Sequence, residues 1–570
     1  MRYRALACDY DGTIAHHGRV DDKTLNALQR MRASGRKLLL VTGRQLDDLM
    51  SVFPEVQLFD RVVAENGALL YDPTTRTEQM IADAPPPEFA RELQRRGVDP
   101  VAQGRVIVAT WEPHDATVFQ VIHDMQLELQ VIFNKGAVMV LPSGINKAVG
   151  LKRSLETLKL SLHDTVGVGD AENDHAFLTA CECSVAVANA LDSIKSRVDL
   201  VTEGHHGAGV IELINGMLSN DLADLNVRLT RHDLLIGQGE PASSEIKLPA
   251  YDGGVLIAGP SGAGKTTVTT ALLERLCECE YQFAVIDPEG DYHDFPNAIA
   301  LHGTDARALV DETLQVLDRP TQNVVVTLID LRLEDRPAFL QMLLPLLLQL
   351  RANTGRPHWI VIDEAHHLLP STWESTEATL PAELKNFVMV TIHPDHVAPT
   401  MLRLVETMIA VGRDAQTTIN EFTTARGVSP IKLPQQKKAD AALSWFVRLG
   451  QQPILLRGAK PVTERLRHRR KYAEGELPED RSFFFRGPEG KLNLRAQNLA
   501  TFLQLADGVD DDTWRFHLQK RDVSRWFKTK IKDAELAADA AEVEREKDLE
   551  PNESRARIRE AVERRYTVPP

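Results

Sequence analysis

Short apolar runs that end in polar, glycine-containing loops recur along most of this chain. Over residues 1 to about 215, ALACDYDGT, KLLLVTG, TVGVGDAEND and CSVAVANA alternate with amphipathic segments. That alternation predicts parallel strands whose C-terminal ends open into loops. The Pro-rich APPPEF near residue 85 interrupts it. From there to about residue 142, EFARELQRRG, RVIVATW, HDATVFQVIHDM, LELQVIF and AVMVL predict a small insertion with helices on one face of a sheet. A polar stretch over about 216–250, holding the strand-like LLIGQG, leads into a second alternating series. This one opens with GGVLIAGPSGAGKTT and continues through FAVIDPEGD, NVVVTLIDL, HWIVIDEAHH and FVMVTIH. Beyond about residue 440 the texture changes, and the last residues are charged and helix-prone without a clear apolar stripe, which predicts an exposed helix or a disordered tail.

The predicted division is therefore an α/β module at 1–215 with its insertion at about 84–142, a linker with a short strand at 216–250, and a second α/β module at 251–460. An accessory region at 461–540 and a charged tail at 541–570 follow. A length of 570 residues agrees with this, being too great for one hydrophobic core. A formal charge of -15 argues against a broad cationic surface built for nucleic acid, while leaving room for a local basic channel. Five cysteines, an odd and sparse set, point to a reducing compartment rather than a disulfide scaffold. The start has no signal-peptide run and no apolar segment reaches the roughly 18 residues a membrane span needs, so a cytoplasmic protein without a membrane partner is expected.

Four separated elements of the first module converge on one chemistry. Asp9-Tyr10-Asp11-Gly12-Thr13 stands where a buried strand ends. Two carboxylates at that spacing can take different roles, Asp9 attacking phosphorus and Asp11 shuttling the leaving-group proton. Thr42, Gly43 and Arg44 end the second strand, where a hydroxyl and backbone amides can hold phosphoryl oxygens, as can Gly12 and Thr13. Lys147 supplies positive charge against the charge of the transition state. Asp170 and Asp174, in GDAEND, add oxygens suited to Mg²⁺, without which a carboxylate and a phosphate repel.

In DYDGT, VTGR, Lys147 and GDAEND, in that order, the first 215 residues resemble the haloacid dehalogenase superfamily. AENGA at 64–68 and the inserted cap resemble its Cof-type, sugar-phosphatase-like branch. The resemblance implies a Rossmann-like core with a small α+β cap and an aspartyl-phosphate formed at Asp9. It further implies Mg²⁺ held by Asp9, the Asp11 carbonyl and Asp170, with Asn173 and Asp174 positioning that shell. The implied substrates are small phosphorylated metabolites. Trp111, His114 and Lys135 are candidates to face them, although packing or a surface position is the commoner fate of such residues.

The second module carries Gly259-Pro260-Ser261-Gly262-Ala263-Gly264-Lys265-Thr266, followed by Thr267, between an apolar strand and a helix-like run. That is the context of a nucleotide-binding P-loop for ATP. Lys265 would meet the β and γ oxygens and Thr266 would bind Mg²⁺. Asp363 and Glu364, in WIVIDEAHH, are placed for the Mg²⁺ shell and for polarising water. The Asp-Glu pair, with an extra strand NVVVTLID between the two motifs, makes water the expected nucleophile. VIDPEGDY, DEAHHLLP and VMVTIHPDH resemble the HerA/FtsK class of ring ATPases. The resemblance implies a RecA-like domain, a homo-oligomeric ring such as a hexamer, a γ-phosphate sensor at Thr391 or His393, and an arginine finger at Arg413. HerA translocases carry a β-barrel ahead of the P-loop, and about 35 residues take its place here, so DNA is only a candidate partner.

The basic RLRHRRKY at 465–472 either touches phosphate or offsets the acidic remainder, and Trp514, Trp526 and Phe527 are expected in the core of a small, mainly helical C-terminal region. The expected function is a Mg²⁺-dependent phosphomonoester phosphatase joined to a HerA-like ATP hydrolase, with nucleotide state as a candidate regulator of the phosphatase. The alternatives are a nucleic-acid end-processing enzyme and an ATP-dependent scaffold.

Overall fold

The computed structural model describes residues 1–570 except 227, 241–243, 252, 373–384, 413, 429–441, 448–449, 451, 459–460, 462–471, 473–476, 478–480, 532, 547–548 and 567–570. Arg413 and all of the basic 465–472 cluster but Tyr472 lie outside the described residues. No described helix is long and apolar enough to cross a membrane.

The apolar runs of the first module become the centre of a sheet. Among the described residues its order is Leu200–Val201, Cys183–Ala186, Thr165–Gly169, Ala5–Asp9, Lys37–Val41, Arg61–Ala64, Leu69–Asp72 and Thr77–Met80. The first six run parallel, Leu69–Asp72 returns antiparallel to them, and Thr77–Met80 pairs antiparallel to Leu69–Asp72. Strands buried on both faces need helices on both sides. Asp22–Ala33 and Gly207–Asn220 cover one face through Leu28, Met31, Val210 and Leu213. Lys147–Thr157 and His175–Ala180 cover the other through Leu151, Leu155 and Phe177. Asp9, Thr42 and Asp170 thereby end or follow three neighbouring parallel strands at the carboxyl ends of the central part of the sheet.

The insertion is a four-stranded antiparallel sheet, ordered Ala102–Gln103, Val108–Trp111, Ala137–Pro142 and Leu129–Asn134. Helices Pro87–Arg95 and Asp115–Asp124 pack on it through Phe89, Leu93, Val118 and Val121.

In the second module the sheet runs Glu245–Leu248, Leu234–Glu240, Ile454–Gly458, Ala442–Phe446, Val405–Ala410, Gly254–Ala258, Phe387–Thr391, Trp359–Ile362, Phe283–Asp287, Asn323–Thr327 and Ala298–His302. The strand between the P-loop strand and that of Asp363 is therefore Phe387–Thr391. Asn323–Thr327, which lies between the two motifs along the chain, pairs farther out, beyond Phe283–Asp287. The expected linker strand is the first of two that extend this sheet at its edge.

Buried polar contacts join the two modules within the unit Met1–Val462. Arg2 Nη2 lies 2.6 Å from Glu182 Oε1, and Tyr281 donates to Glu182 Oε2 at 2.9 Å. His163 stacks on Tyr281 with ring centres 3.7 Å apart. The guanidinium of Arg356, fully buried, donates to the carbonyls of Lys159 and Leu317.

Thr463–Pro570 forms a separate unit around Phe483, Phe485, Phe502, Trp514, Trp526 and Phe527. The tail departs from expectation. Pro551–Tyr566 is a helix that buries Ile558, Ala561, Val562 and Tyr566 in that core. Its apolar residues are too sparse and small to mark a stripe, yet its Ser554 takes the Trp514 indole N–H at 2.9 Å.

Candidate active sites

Asp9 is 4% exposed at the end of its strand, and its two carboxylate oxygens have different partners. Oδ1 accepts from Lys147 Nζ at 2.6 Å and Oδ2 from the Thr13 hydroxyl at 3.2 Å. Lys147 is delivered by the first residue of its helix, which Asn146 caps by accepting from the N–H of Ala148 and Val149. The same ammonium lies 2.6 Å from Asp174 Oδ1. Asp174 Oδ2 accepts from the N–H of Asp170 and Ala171, so both of its oxygens are engaged within the protein. One oxygen from each of Asp9, Asp170 and Asp174 lies within 4.8 Å of the others. Removal of these groups from water, reinforced by the neighbouring Asp174 charge, pushes the Asp9 carboxyl well up, against the opposing pull of Lys147. Burial alone would neutralise Lys147, but Asp174 and Asp9 outweigh it and hold its charge.

An all-oxygen cluster of this kind fits a hard divalent cation. Asp9, Asp170 and the Asp11 carbonyl could hold Mg²⁺, while Asp174 supports the set from behind. Gly12 is needed beside it, since at φ +89° a Cβ would stand 2.3 Å from Asp170 Oδ2. Asn189 and His206 both hydrogen-bond the Gly12 carbonyl at 2.8 Å and pin that loop.

The remaining candidate residues are arranged around this centre. Thr42 is buried and its hydroxyl accepts from the Arg44 N–H at 3.1 Å. Arg44, expected among the phosphate-binding residues, is engaged with Asp11 through two bonds of 2.7 and 2.8 Å and also with Asp48. Gly43 faces Asn173, whose Nδ2 donates to Asn66 Oδ1 at 3.1 Å. Asn66 Nδ2 and Asn173 Oδ1 are buried without a hydrogen-bond partner among the described residues, so both have capacity for a ligand. Trp111 is exposed on the cap and His114 precedes a cap helix. Lys135, for which a surface position was the commoner expectation, instead reaches Asp170 Oδ2 at 2.8 Å. Glu65 had no role from sequence. It is fully buried in the core module and accepts from the N–H of Arg105, Val106 and Ile107 of the cap at 2.7–2.9 Å. AENGA was the available signal for Glu65 and Asn66, and their positive φ values of 51° and 54° mark that turn.

At the second site the P-loop wraps the N-terminus of helix Lys265–Glu278. Gly259 has φ +155°, and a Cβ there would stand 2.2 Å from the Val411 carbonyl oxygen. Lys265 Nζ donates to the Gly259 carbonyl at 3.1 Å, folded back onto the loop that Pro260, Ser261, Gly262, Ala263 and Gly264 complete. Thr266 is buried and Thr267 follows it on the helix. Asp363 is buried at the end of its strand, where its Oδ1 accepts the Glu364 N–H at 3.0 Å and its Oδ2 has no hydrogen-bond partner among the described residues. An orphaned buried carboxylate oxygen of this kind fits a Mg²⁺ ligand. Burial, then the charges of Glu364 and Asp287, push the Asp363 carboxyl up. Thr391, fully buried, is hydrogen-bonded to His366 Nδ1 at 3.1 Å and accepts the His393 N–H. Burial and the nearby His367 and His393 push His366 down to about 4.

Comparison with known proteins follows the same division. The haloacid dehalogenase-like hydrolase family matches residues 6–93 and 114–214, and the AAA domain family matches 250–398. A phosphoglycolate phosphatase of Methanothermobacter thermautotrophicus is 30% identical over 220 residues, 37% of this chain and 97% of that protein. One from Methanosarcina acetivorans is 28% identical over 225 residues, 39% of this chain and 99% of the relative. A solved haloacid dehalogenase-like hydrolase from Bacteroides thetaiotaomicron aligns with TM-score 0.33 at 18% identity, over 38% of this chain and 99% of its own. The chain therefore belongs to the haloacid dehalogenase-like hydrolases, a phosphatase whose second module is an AAA ATPase domain.

Proposed function

We propose that the first module hydrolyses a small phosphate monoester through Asp9, and that the second hydrolyses ATP in a HerA-like manner within a homo-oligomeric ring. The observation that carries the phosphatase reading is the buried Lys147 bridging Asp9 and Asp174 beside Asp170. Asp9 attacks phosphorus in line with the leaving oxygen. Lys147 holds the attacking carboxylate in place and balances charge as the phosphoryl oxygens crowd it. Asn66, Gly43 and Thr42 line the phosphoryl pocket. Asp11, held by Arg44, is the group that gives a proton to the leaving alkoxide and takes one from water when the aspartyl-phosphate is hydrolysed. When bound, Mg²⁺ would neutralise the repulsion between carboxylate and phosphate. Arg44 is read as a positioning residue for Asp11.

In the second module, Lys265 and the loop amides are read as the triphosphate cradle, Thr266 and Asp363 as the cation's ligands and Glu364 as the residue that orients water. The strand order, with Phe387–Thr391 between the P-loop strand and that of Asp363, supports the RecA-like, HerA-like reading, in which Thr391 is read as the γ-phosphate sensor.

The phosphatase test is phosphate release by the full chain from phosphoglycolate, sugar phosphates and 5′-phosphorylated DNA, with Asp9→Asn as control. Release from a small ester that vanishes in Asp9→Asn is expected. Release that survives Asp9→Asn sinks the reading, and a preference for DNA moves it to end processing. The ring is checked by sedimentation with and without ATP, a lone monomer in both counting against it.

A further inference from the structure

The hairpin joining cap strands Leu129–Asn134 and Ala137–Pro142 carries Lys135 at its tip in the left-handed region, φ +49°. Its ammonium stands 2.8 Å from Asp170 Oδ2 and 3.4 Å from the Asp11 carbonyl oxygen. Three features hold the cap so that this reach is built in. Glu65 gathers three cap N–H groups, Arg105 pairs with Asp47 and Glu78, and the Met139 sulfur lies 3.5 Å from where a Gly43 Cβ would be. The side chain remains 47% exposed, so the ammonium is at the mouth of the site rather than sealed in it.

Asp170 and the Asp11 carbonyl are also proposed ligands of the cation, and one set of oxygens cannot serve an ammonium and a divalent ion equally. With those oxygens engaged by the ion, Lys135 is a lone flexible cation on the cap side, one carboxylate away from Asp9. The leaving group of a substrate attacked by Asp9 has to occupy that side. A single ammonium at a half-exposed position matches a single negative charge, whereas a second phosphate calls for a guanidinium fork or several donors. We propose that Lys135 is a specificity-determining residue that pairs with a carboxylate on the leaving group, so that the preferred substrates are short phosphorylated acids. This deepens the phosphatase reading above and rests on it.

The test compares phosphoglycolate with p-nitrophenyl phosphate, which offers the same phosphoryl group and no carboxylate, using the full-length wild type, Lys135→Met and Lys135→Arg. For phosphoglycolate, Lys135→Met should raise KM roughly 30-fold with kcat little changed, the size expected for a lost hydrogen bond to a charged group. The change with p-nitrophenyl phosphate should be far smaller, and Lys135→Arg should recover part of the loss. Binding of the uncleaved analogue phosphonoacetate, followed by calorimetry, should weaken in parallel. Equal losses on both substrates would overturn the proposal in favour of a role at the phosphoryl group or the cation. Unchanged kinetics on both, or a wild type that cleaves p-nitrophenyl phosphate but not phosphoglycolate, would overturn it as well. If turnover disappears in Asp9→Asn while Lys135→Met discriminates nothing, only this inference falls. If turnover survives Asp9→Asn, the phosphatase reading itself falls.

Discussion

At Asp9 a buried carboxylate faces a buried lysine, whereas at Asp363 a buried carboxylate faces two more acids. The phosphatase centre is balanced from within, because Lys147 is shared between Asp9 and Asp174 at 2.6 Å each. The ATPase centre places Glu364 and Asp287 against Asp363, and its lysine is turned onto the carbonyls of its own loop. Neutralising a buried charge inside the fold ties catalysis to stability. A lysine that opens a helix and rests on the carbonyls of its own loop is tied to that loop instead. The lysine is thus paired with the acids in one module and folded onto its own loop in the other.

The largest effect that separates the two should come from the lysines. Lys147→Met should lower phosphate release by roughly a thousandfold. It should also destabilise the protein by about 3–5 kcal/mol, because Asp9 and Asp174 are left buried without their cation. Lys265→Met should abolish ATP hydrolysis while moving the thermal midpoint far less. Steady-state kinetics and calorimetric unfolding of both variants check this, and equal stability losses would break the comparison.

A second effect concerns the junction. Glu182 is held far below the usual carboxylate range: burial opposes its charge, and His163 and Arg2 overcome that opposition. A depressed pKa contributes stability above the ordinary value near 4.5 that is lost as pH falls below it. Glu182→Gln should cost about 3 kcal/mol at neutral pH by stranding Arg2, and unfolding in urea at pH 7 and pH 4 should show the gap closing as pH drops.

Smaller still is the strain of Gly12→Ala, about 1–2 kcal/mol from a side chain at φ +89°. Its Cβ also displaces Asp170, so phosphatase activity should fall while ATP hydrolysis persists. The smallest effect is at His358. Burial pushes its pKa down, and the Gln282 N–H donates to its Nδ1, leaving Nε2 to bond Ser161 at 2.9 Å. The unfolded chain therefore takes up this proton first, and stability should decline as pH falls below about 6.5. His358→Gln should flatten that part of the profile.

The phosphatase motifs could be read from the chain because DYDGT, VTGR and GDAEND are short runs of residues where a buried strand ends, and the fold brings Asp9, Lys147, Asp170 and Asp174 together. Asp9, Lys147, Asp170 and Asp174 were all in view before any fold was. The structure adds the partners of two of the candidate residues: Arg44 holds Asp11 through two bonds, and Asp174 is engaged on both oxygens. Glu65 was hidden because its partners are backbone N–H groups about forty residues away, which no side-chain pattern reports.

What the sequence by itself determined is the chemistry of each module and the order of the modules, since both depend on local turns, buried strands and residue types at short spacing. What only the tertiary structure decided is which distant segments meet. It set Phe387–Thr391 beside the P-loop strand, folded a sparse charged tail into an aromatic core, and brought Lys135 from the tip of a cap hairpin onto Asp170. The physical reason is that packing and charge pairing act through space. Spacing along the chain encodes the shape of each element, while the partner of a buried face or a lone cation is chosen only when those elements close on one another.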